Sequence, residues 1–166
     1  MQELHSLKEN LLGNEPLPET LTSENIQEWH RQWLGNVYEW AGKFCNINVA
    51  KAGFQFAAAD RIPSLLEDFD KQFLSHFTEL KALSRPELIR YLSEFHVEFI
   101  LIHPFREGNG RLSRLLFDVL AVQAGVGVLD YSLWDEHKAF YFKAIQAGGS
   151  GNYAPMEQLV GDILPN

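Results

Sequence analysis

A single cysteine, Cys45, stands in the chain, so no disulfide can close within it. That usage fits a reducing compartment, and the thiol is expected to be a small buried side chain. No apolar run approaches the roughly 20 residues that a membrane-spanning helix needs, so no membrane partner is expected. The first residues, MQELHSLKEN, lack the pattern of a secretory leader. A cytoplasmic protein is expected. Cations are scarce as well: 14 Lys and Arg face 22 Asp and Glu, for a net charge of −8, and no basic run stands out. Broad nucleic-acid binding is therefore not expected. Internal repeats and any break suggesting a second domain are absent too. What the chain does have is apolar residues, 46% of 166, enough for one domain with a real core.

Their spacing is mostly helical. A short helix is expected over Leu4 to Leu11, followed by a loop holding Pro16 and Pro18. The next helix starts at Thr22 or Ser23, either of which can cap it. Its face is Ile26, Trp29, His30, Trp33, Val37 and Trp40, and Ala41-Gly42-Lys43 ends it. Three tryptophans on one stripe read as core, and His30 as a hydrogen-bonded core residue. Residues 44 to 58 change to alternation. Ile47 and Val49 lead into a turn at Lys51-Ala52-Gly53, and Phe54 and Phe56 follow, which predicts a β-hairpin. Its open edge can accept an extended segment of another protein, or the hairpin can simply connect two helices.

A helix from Ile62 is expected to run through Leu65, Leu66, Phe69, Phe73 and Phe77, then a polar loop, with His76 solvated. Ser84-Arg85-Pro86-Glu87 has the spacing of a capping box and opens a helix carrying Leu88, Leu92, Phe95, Phe99 and Ile102. His96 and Glu98 within it read as structural. Another helix carries Leu112, Leu115, Leu116, Val119 and Leu120 and stops at Gly125-Val126-Gly127. Ser132 is expected to cap a helix holding Trp134, Phe140, Tyr141, Ala144 and Ile145. A loop at Gly148 to Gly151 and a last helix from about Pro155 complete the chain.

Between two of these helices lie twelve residues, His103 to Arg114, reading HPFREGNGRLSR. Pro104 disfavours helical geometry at His103, so the leading helix should end there. The following helix should start near Asn109, and its first amides, without partners inside the helix, form an anion site. Gly108 and Gly110 let a ligand approach the backbone closely. His103 can act as a base near neutral pH. Glu107 is a hard oxygen ligand suited to Mg²⁺ held against phosphates. Arg111 offers a forked donor to a phosphate, and Arg114 lies three residues on, on nearly the same helix face. Base, metal ligand, anion nest and two clamps point to phosphate-transfer chemistry.

This stretch resembles the signature of the Fic family, His-x-Phe-x-Asp/Glu-Gly-Asn-Gly-Arg-x-x-Arg. His103, Phe105, Glu107, Gly108, Asn109, Gly110, Arg111 and Arg114 match all eight defined positions. The resemblance implies an all-α, Fic-type helical bundle with one small β-hairpin, the flap. It implies a single domain over residues 1–166, with a core from about residue 22 and residues 1–21 as an N-terminal extension. The implied activity is transfer of AMP from ATP to a Ser, Thr or Tyr hydroxyl of a target protein, with release of pyrophosphate. By position, His103 is the catalytic base and Glu107 the Mg²⁺ ligand. Gly108, Asn109 and Gly110 stabilise charge on the α-phosphate, while Arg111 and Arg114 hold the outer phosphates. Gly53, Phe54, Phe56 and Ile62 are the target-docking flap candidates, and Phe56 and Ile62 would touch the target side chain. Gly151-Asn152-Tyr153 resembles the family's adenine-side turn, and Tyr141 and Tyr153 are candidates to stack on the base.

Many members carry an inhibitory helix, Ser/Thr-x-x-x-Glu-Gly/Asn, whose glutamate pairs with the last motif arginine. The one formal match is TLTSEN, Thr20 to Asn25, at the cap of the first core helix, where the family has ordinary core sequence. Control is therefore expected from an inhibitory antitoxin partner in trans or from oligomerisation. Two alternatives stay open. One is a Fic-fold transferase that uses another nucleotide or transfers phosphate or phosphocholine. The other is a non-catalytic peptide-binding module.

Overall fold

A computed structural model describes residues 2–14, 16–51 and 54–166. Among these the order is α1 (Gln2–Glu9), α2 (Ser23–Leu34), β1 (Ala50–Lys51), β2 (Phe54–Gln55), α3 (Ile62–Gln72), α4 (Arg85–Ile102), α5 (Asn109–Gln123), α6 (Ser132–Glu136), α7 (Lys138–Gly149) and α8 (Ala154–Ile163). This is the expected helical bundle with one small hairpin. Among the described residues no helix is long and apolar enough to cross a membrane.

The centre is α4, which packs against α3, α5, α7 and α8. Ser84 caps it: its hydroxyl accepts from the Glu87 amide, and the Glu87 carboxylate accepts from the Ser84 amide. Leu92, Phe95, Val97 and Phe99 are wholly buried, so the helix is apolar on almost every side, as a central helix must be. Phe69 of α3 meets Phe95 at a ring distance of 5.0 Å. Helix α5 is buried along Leu112, Leu116, Phe117, Val119, Leu120 and Ala121. On its outer side, Lys8 of α1 reaches the buried Asp118 at 2.8 Å.

Four elements differ from the sequence expectation, each for a local reason. Helix α2 ends at Leu34 rather than running to Trp40: Gly35, a weak helix former, caps it in the right-handed region and turns follow. Val37, expected on the buried stripe, is consequently 67% exposed. Helix α3 ends at Gln72, and a 3-10 helix over Leu74–Ala82 replaces the expected continuation and loop. The buried side chains Leu74, Phe77 and Leu80 recur every third residue, which is the 3-10 period. Ser132 does not cap α6. Tyr131 is the cap residue and makes no side-chain cap bond; just before it the Asp130 carboxylate accepts from the Ser132 amide at 2.9 Å and hydroxyl at 2.6 Å, and the chain breaks at His137 before α7 begins.

Finally, α7 continues through Gly148 and Gly149, expected to lie in a loop. These glycines allow close helix packing: a Cβ at Gly148 would lie 2.7 Å from Val97 Cγ1 of α4. Gly148→Ala should therefore destabilise the fold. Overpacking costs about 1–3 kcal/mol, and the better helix propensity of alanine offsets about 1 kcal/mol of that. A lower urea midpoint with unchanged slope is the expected reading. An unchanged or raised midpoint would mean that α4 and α7 are not in tight contact.

The hairpin is as small as a hairpin can be. Ala50 pairs with Gln55 and Lys51 with Phe54, antiparallel, and the Phe56 amide adds a bond to the Val49 carbonyl at 3.3 Å. Its tip, including the flap candidate Gly53, lies outside the described residues. A two-stranded ribbon is marginal alone, and this one is anchored. The Ala57 amide donates to the Leu101 carbonyl of α4 at 3.1 Å, and Phe54 is buried.

Candidate active site

The junction of α4 and α5 is a tight loop held from both sides. His103 ends α4 in the left-handed region, φ 51° and ψ 60°, the one positive-φ residue other than glycine among those described. Pro104 bars His103 from helical geometry, and the strain this leaves is carried by the packing around it. Phe105 is wholly buried. Its amide donates to Asn109 Oδ1 at 3.0 Å, and its carbonyl accepts from Asn109 Nδ2 at 2.7 Å. Asn109 is itself buried, so its amide group acts first on the shape of the loop.

His30 is the second clamp. Its ring lies flat on Phe105 at 4.0 Å. Nδ1 accepts from the Gly42 amide at 2.8 Å, so the proton sits on Nε2, which donates to the Glu107 carbonyl at 2.9 Å. Burial holds its pKa below the ordinary value, which keeps this neutral tautomer. The sequence marked His30 as a bonded core residue. The structure adds what it bonds: α2, the following loop and the motif are tied through one imidazole.

His103 faces the cleft under the hairpin. The Phe56 ring lies on its imidazole at 3.8 Å and 8°. Burial, reinforced by the ammonium of Lys51, draws its pKa down to about 4. The ring is therefore neutral at pH 7, the form a base needs. Its Nδ1 is buried with no hydrogen-bond partner.

Opposite stands the start of α5. Gly108 is its cap residue, at φ 84°, and no side chain caps the helix. The positive end of the helix dipole at this cap favours an anion in the cleft. The guanidinium of Arg111 lies over the Trp33 ring at 4.9 Å. That of Arg114 lies 5.0 Å from the Tyr131 ring and is paired with Asp135.

All these groups meet in one cleft of 510 Å³, a size that suits a nucleotide. His103, Glu107, Gly108, Asn109, Gly110, Arg111 and Arg114 line it, with Phe54, Phe56 and Tyr141. The motif supplies most of the polar lining, whereas Phe54, Tyr141, Phe142 and Ile145 supply apolar lining, with Phe142 in ring contact with both Phe54 and Tyr141. Sequence reading missed Phe142 and Ile145, whose helical spacing looks like core, and Lys51, which was read only as part of a turn. Two candidates fall elsewhere. Ile62 is only 2% exposed, because it starts α3 facing inward, so it has no surface to offer a target. Tyr153 is absent from the cleft lining; its hydroxyl donates to Glu98 at 2.6 Å. Tyr141 does line the cleft, and its hydroxyl lies 2.6 Å from His96 Nε2.

Glu24, the glutamate of the TLTSEN match, is exposed in the first turn of α2. Thr22 and Asn25 of that match form a capping box at the start of α2.

The Fic/DOC family model matches residues 20–121, most of the chain including the whole loop. The chain belongs to the Fic/DOC family. A curated relative named protein adenylyltransferase, from Bartonella henselae, is 31% identical over 167 residues, covering 92% of this chain and 30% of its own length. The chain thus spans about a third of that relative. The solved structure of BepC, a VirB-translocated effector protein of Bartonella tribocorum, with bound AMPPNP, is 25% identical with a TM-score of 0.80, over 99% of this chain and 83% of that one. A Fic domain from Bartonella quintana with bound ADP is 26% identical with a TM-score of 0.81, over 98% and 81%. The overall fold is therefore shared between this chain and these nucleotide-bound structures.

Proposed function

We propose that this Fic domain is a protein adenylyltransferase. The observation that carries the reading is the placement of the His103 imidazole and the uncapped start of α5 in one nucleotide-sized cleft. Relatives named protein adenylyltransferase support it.

In this reading the triphosphate of ATP lies along the first turn of α5. Arg111 and Arg114 hold its outer phosphates, and the adenine lies against the apolar lining of Phe54, Tyr141, Phe142 and Ile145. A target hydroxyl enters beneath the hairpin. His103 Nε2 takes its proton, the oxygen bonds to the α-phosphorus, and the bond from that phosphorus to the bridging oxygen breaks. AMP stays on the target and pyrophosphate leaves. The protein contributes position and field more than covalent work.

Among the described residues no group of three or more His, Cys, Asp or Glu could hold a metal ion by itself. A single carboxylate, Glu107, in a phosphate-binding cleft suits Mg²⁺, which is typically held by one or two carboxylates together with substrate phosphates. When bound, the ion would neutralise phosphate charge.

The hairpin is the proposed docking edge for an extended target segment carrying Ser, Thr or Tyr. Phe56 belongs to that edge but serves the base as well, since it already covers one face of His103. Control is proposed to come from an inhibitory antitoxin partner in trans, and a cytoplasmic site of action is proposed with it.

Incubating the chain with Mg²⁺, cell lysate and either α- or γ-labelled ATP tests the reaction. Protein label from the α position alone is expected. Label from the γ position alone would show phosphate transfer instead. Label from neither, with lysate proteins bound, would leave a peptide-binding module.

A further inference from the structure

Arg114 lines the cleft, but its guanidinium is also occupied on another side. Its Nη2 donates to Asp135 Oδ1 at 2.6 Å and its Nη1 to Asp135 Oδ2 at 3.2 Å. Asp135 belongs to α6 and does not line the cleft. The pair is end-on, using one N–H from each terminal nitrogen. Of the five N–H donors of an arginine, three remain, including the one on Nε. A guanidinium can therefore bind a carboxylate at its end and a phosphate along its side together.

The rest of Arg114 is fixed as well. Its carbonyl lies 3.1 Å from the Tyr131 hydroxyl, which is also 2.9 Å from Oδ1 of the buried Asp118. The Tyr131 ring covers its guanidinium at 5.0 Å. Backbone and one face are thus held by Tyr131, and the end of the fork by Asp135.

We infer that Asp135 is a positioning residue for nucleotide binding, holding the Arg114 fork by its end so that its side edge meets the outer phosphates. Helix α6 thereby becomes part of the phosphate site without touching the nucleotide. The inference rests on the reading that a triphosphate occupies this cleft. A long arginine side chain samples many rotamers, and ordering one on binding is costly. Asp135 orders it beforehand. The carboxylate is 52% exposed, so the pair adds little to stability and its loss should leave the fold intact.

The test uses the full chain with Asp135→Ala, Asp135→Glu, Arg114→Ala and the double variant Asp135→Ala/Arg114→Ala. ATP and AMP affinities, melting temperature and steady-state transfer from α-labelled ATP are measured. Asp135→Ala should weaken ATP binding by about 5- to 20-fold, raise KM for ATP, and change kcat little. AMP lacks the outer phosphates, so its affinity should not move. In the Arg114→Ala background the Asp135 effect should vanish, and Asp135→Glu should recover part of the loss.

Tighter ATP binding by Asp135→Ala would overturn the inference, because it would make the carboxylate a competitor of the phosphates. Equal losses for ATP and AMP, or additive effects of the two substitutions, would also overturn it. If the wild type binds ATP with this coupling yet transfers nothing, the transferase reading fails and the positioning role stands. If transfer occurs without the coupling, only the positioning role fails. Absence of ATP binding by the wild type overturns both.

Discussion

His103→Ala is expected to lower transfer from α-labelled ATP by about 10²–10⁴-fold, the usual loss when an acid–base group is removed, while ATP still binds. The two effects separate because the imidazole and the phosphate cradle come from different helices. His103 closes α4, and the anion site opens α5. The pH dependence should identify the base independently. Burial and Lys51 draw the imidazole of the protein alone down to about 4. Its protonation removes the base, so activity falls as pH drops through that value. A bound triphosphate brings negative charge close to the ring and raises the value. The acid limb of kcat/KM for ATP reports the unliganded protein and that of kcat the complex. The kcat/KM limb should therefore lie at lower pH. Coincident limbs, or unchanged transfer by His103→Ala, would take the role of base away from this residue.

That part of the site was legible because its chemistry is local. His103-Pro104 ends one helix, and Gly108-Asn109-Gly110 starts the next, so twelve consecutive residues carry the proposed base, the proposed metal ligand and the proposed anion site. The capping box at Ser84 was legible for the same reason. What stayed hidden depends on contacts between distant segments. No spacing rule shows that the His30 imidazole bonds to the Glu107 carbonyl, 77 residues away. Nor does one show that Phe56 stacks on His103. Helix ends suffered in another way. Apolar recurrence carried the expected α2 past Gly35 to Trp40, although the glycine was in plain sight, because Val37 and Trp40 continued the stripe. At Leu74, Phe77 and Leu80 the period shifts from 3.6 to 3 over too few residues for the change to stand out from a continuing helix. Asp135 was invisible for a related reason. Its partner Arg114 already had an assigned ligand, and nothing in a linear pattern says that one guanidinium serves two.

The hinge of the anion site is Gly108, and Gly108→Ala should show how little tolerance it has. Two penalties fall on one methyl group. Its φ of 84° costs a residue with a Cβ about 1–2 kcal/mol. The Cβ itself would lie 2.6 Å from Trp33 Cζ3 and 2.8 Å from Cη2. Trp33 is only 2% exposed and has no room to retreat, so overpacking adds about 1–3 kcal/mol. A total of about 2–5 kcal/mol is a large part of the stability of one domain, and the urea midpoint should fall accordingly. Where the chain relieves the clash by moving the loop, the first turn of α5 moves with it, and ATP affinity falls instead of stability. Trp33→Leu separates the two penalties. It removes the ring that the new methyl would strike, so Gly108→Ala should cost less in that background, while the backbone penalty remains. Arg111 loses its ring contact in the same variant, so each comparison needs Trp33→Leu alone as its reference. A Gly108→Ala protein with the wild-type urea midpoint and wild-type ATP affinity would show that the start of α5 is not braced against α2, and the anion site would need another origin.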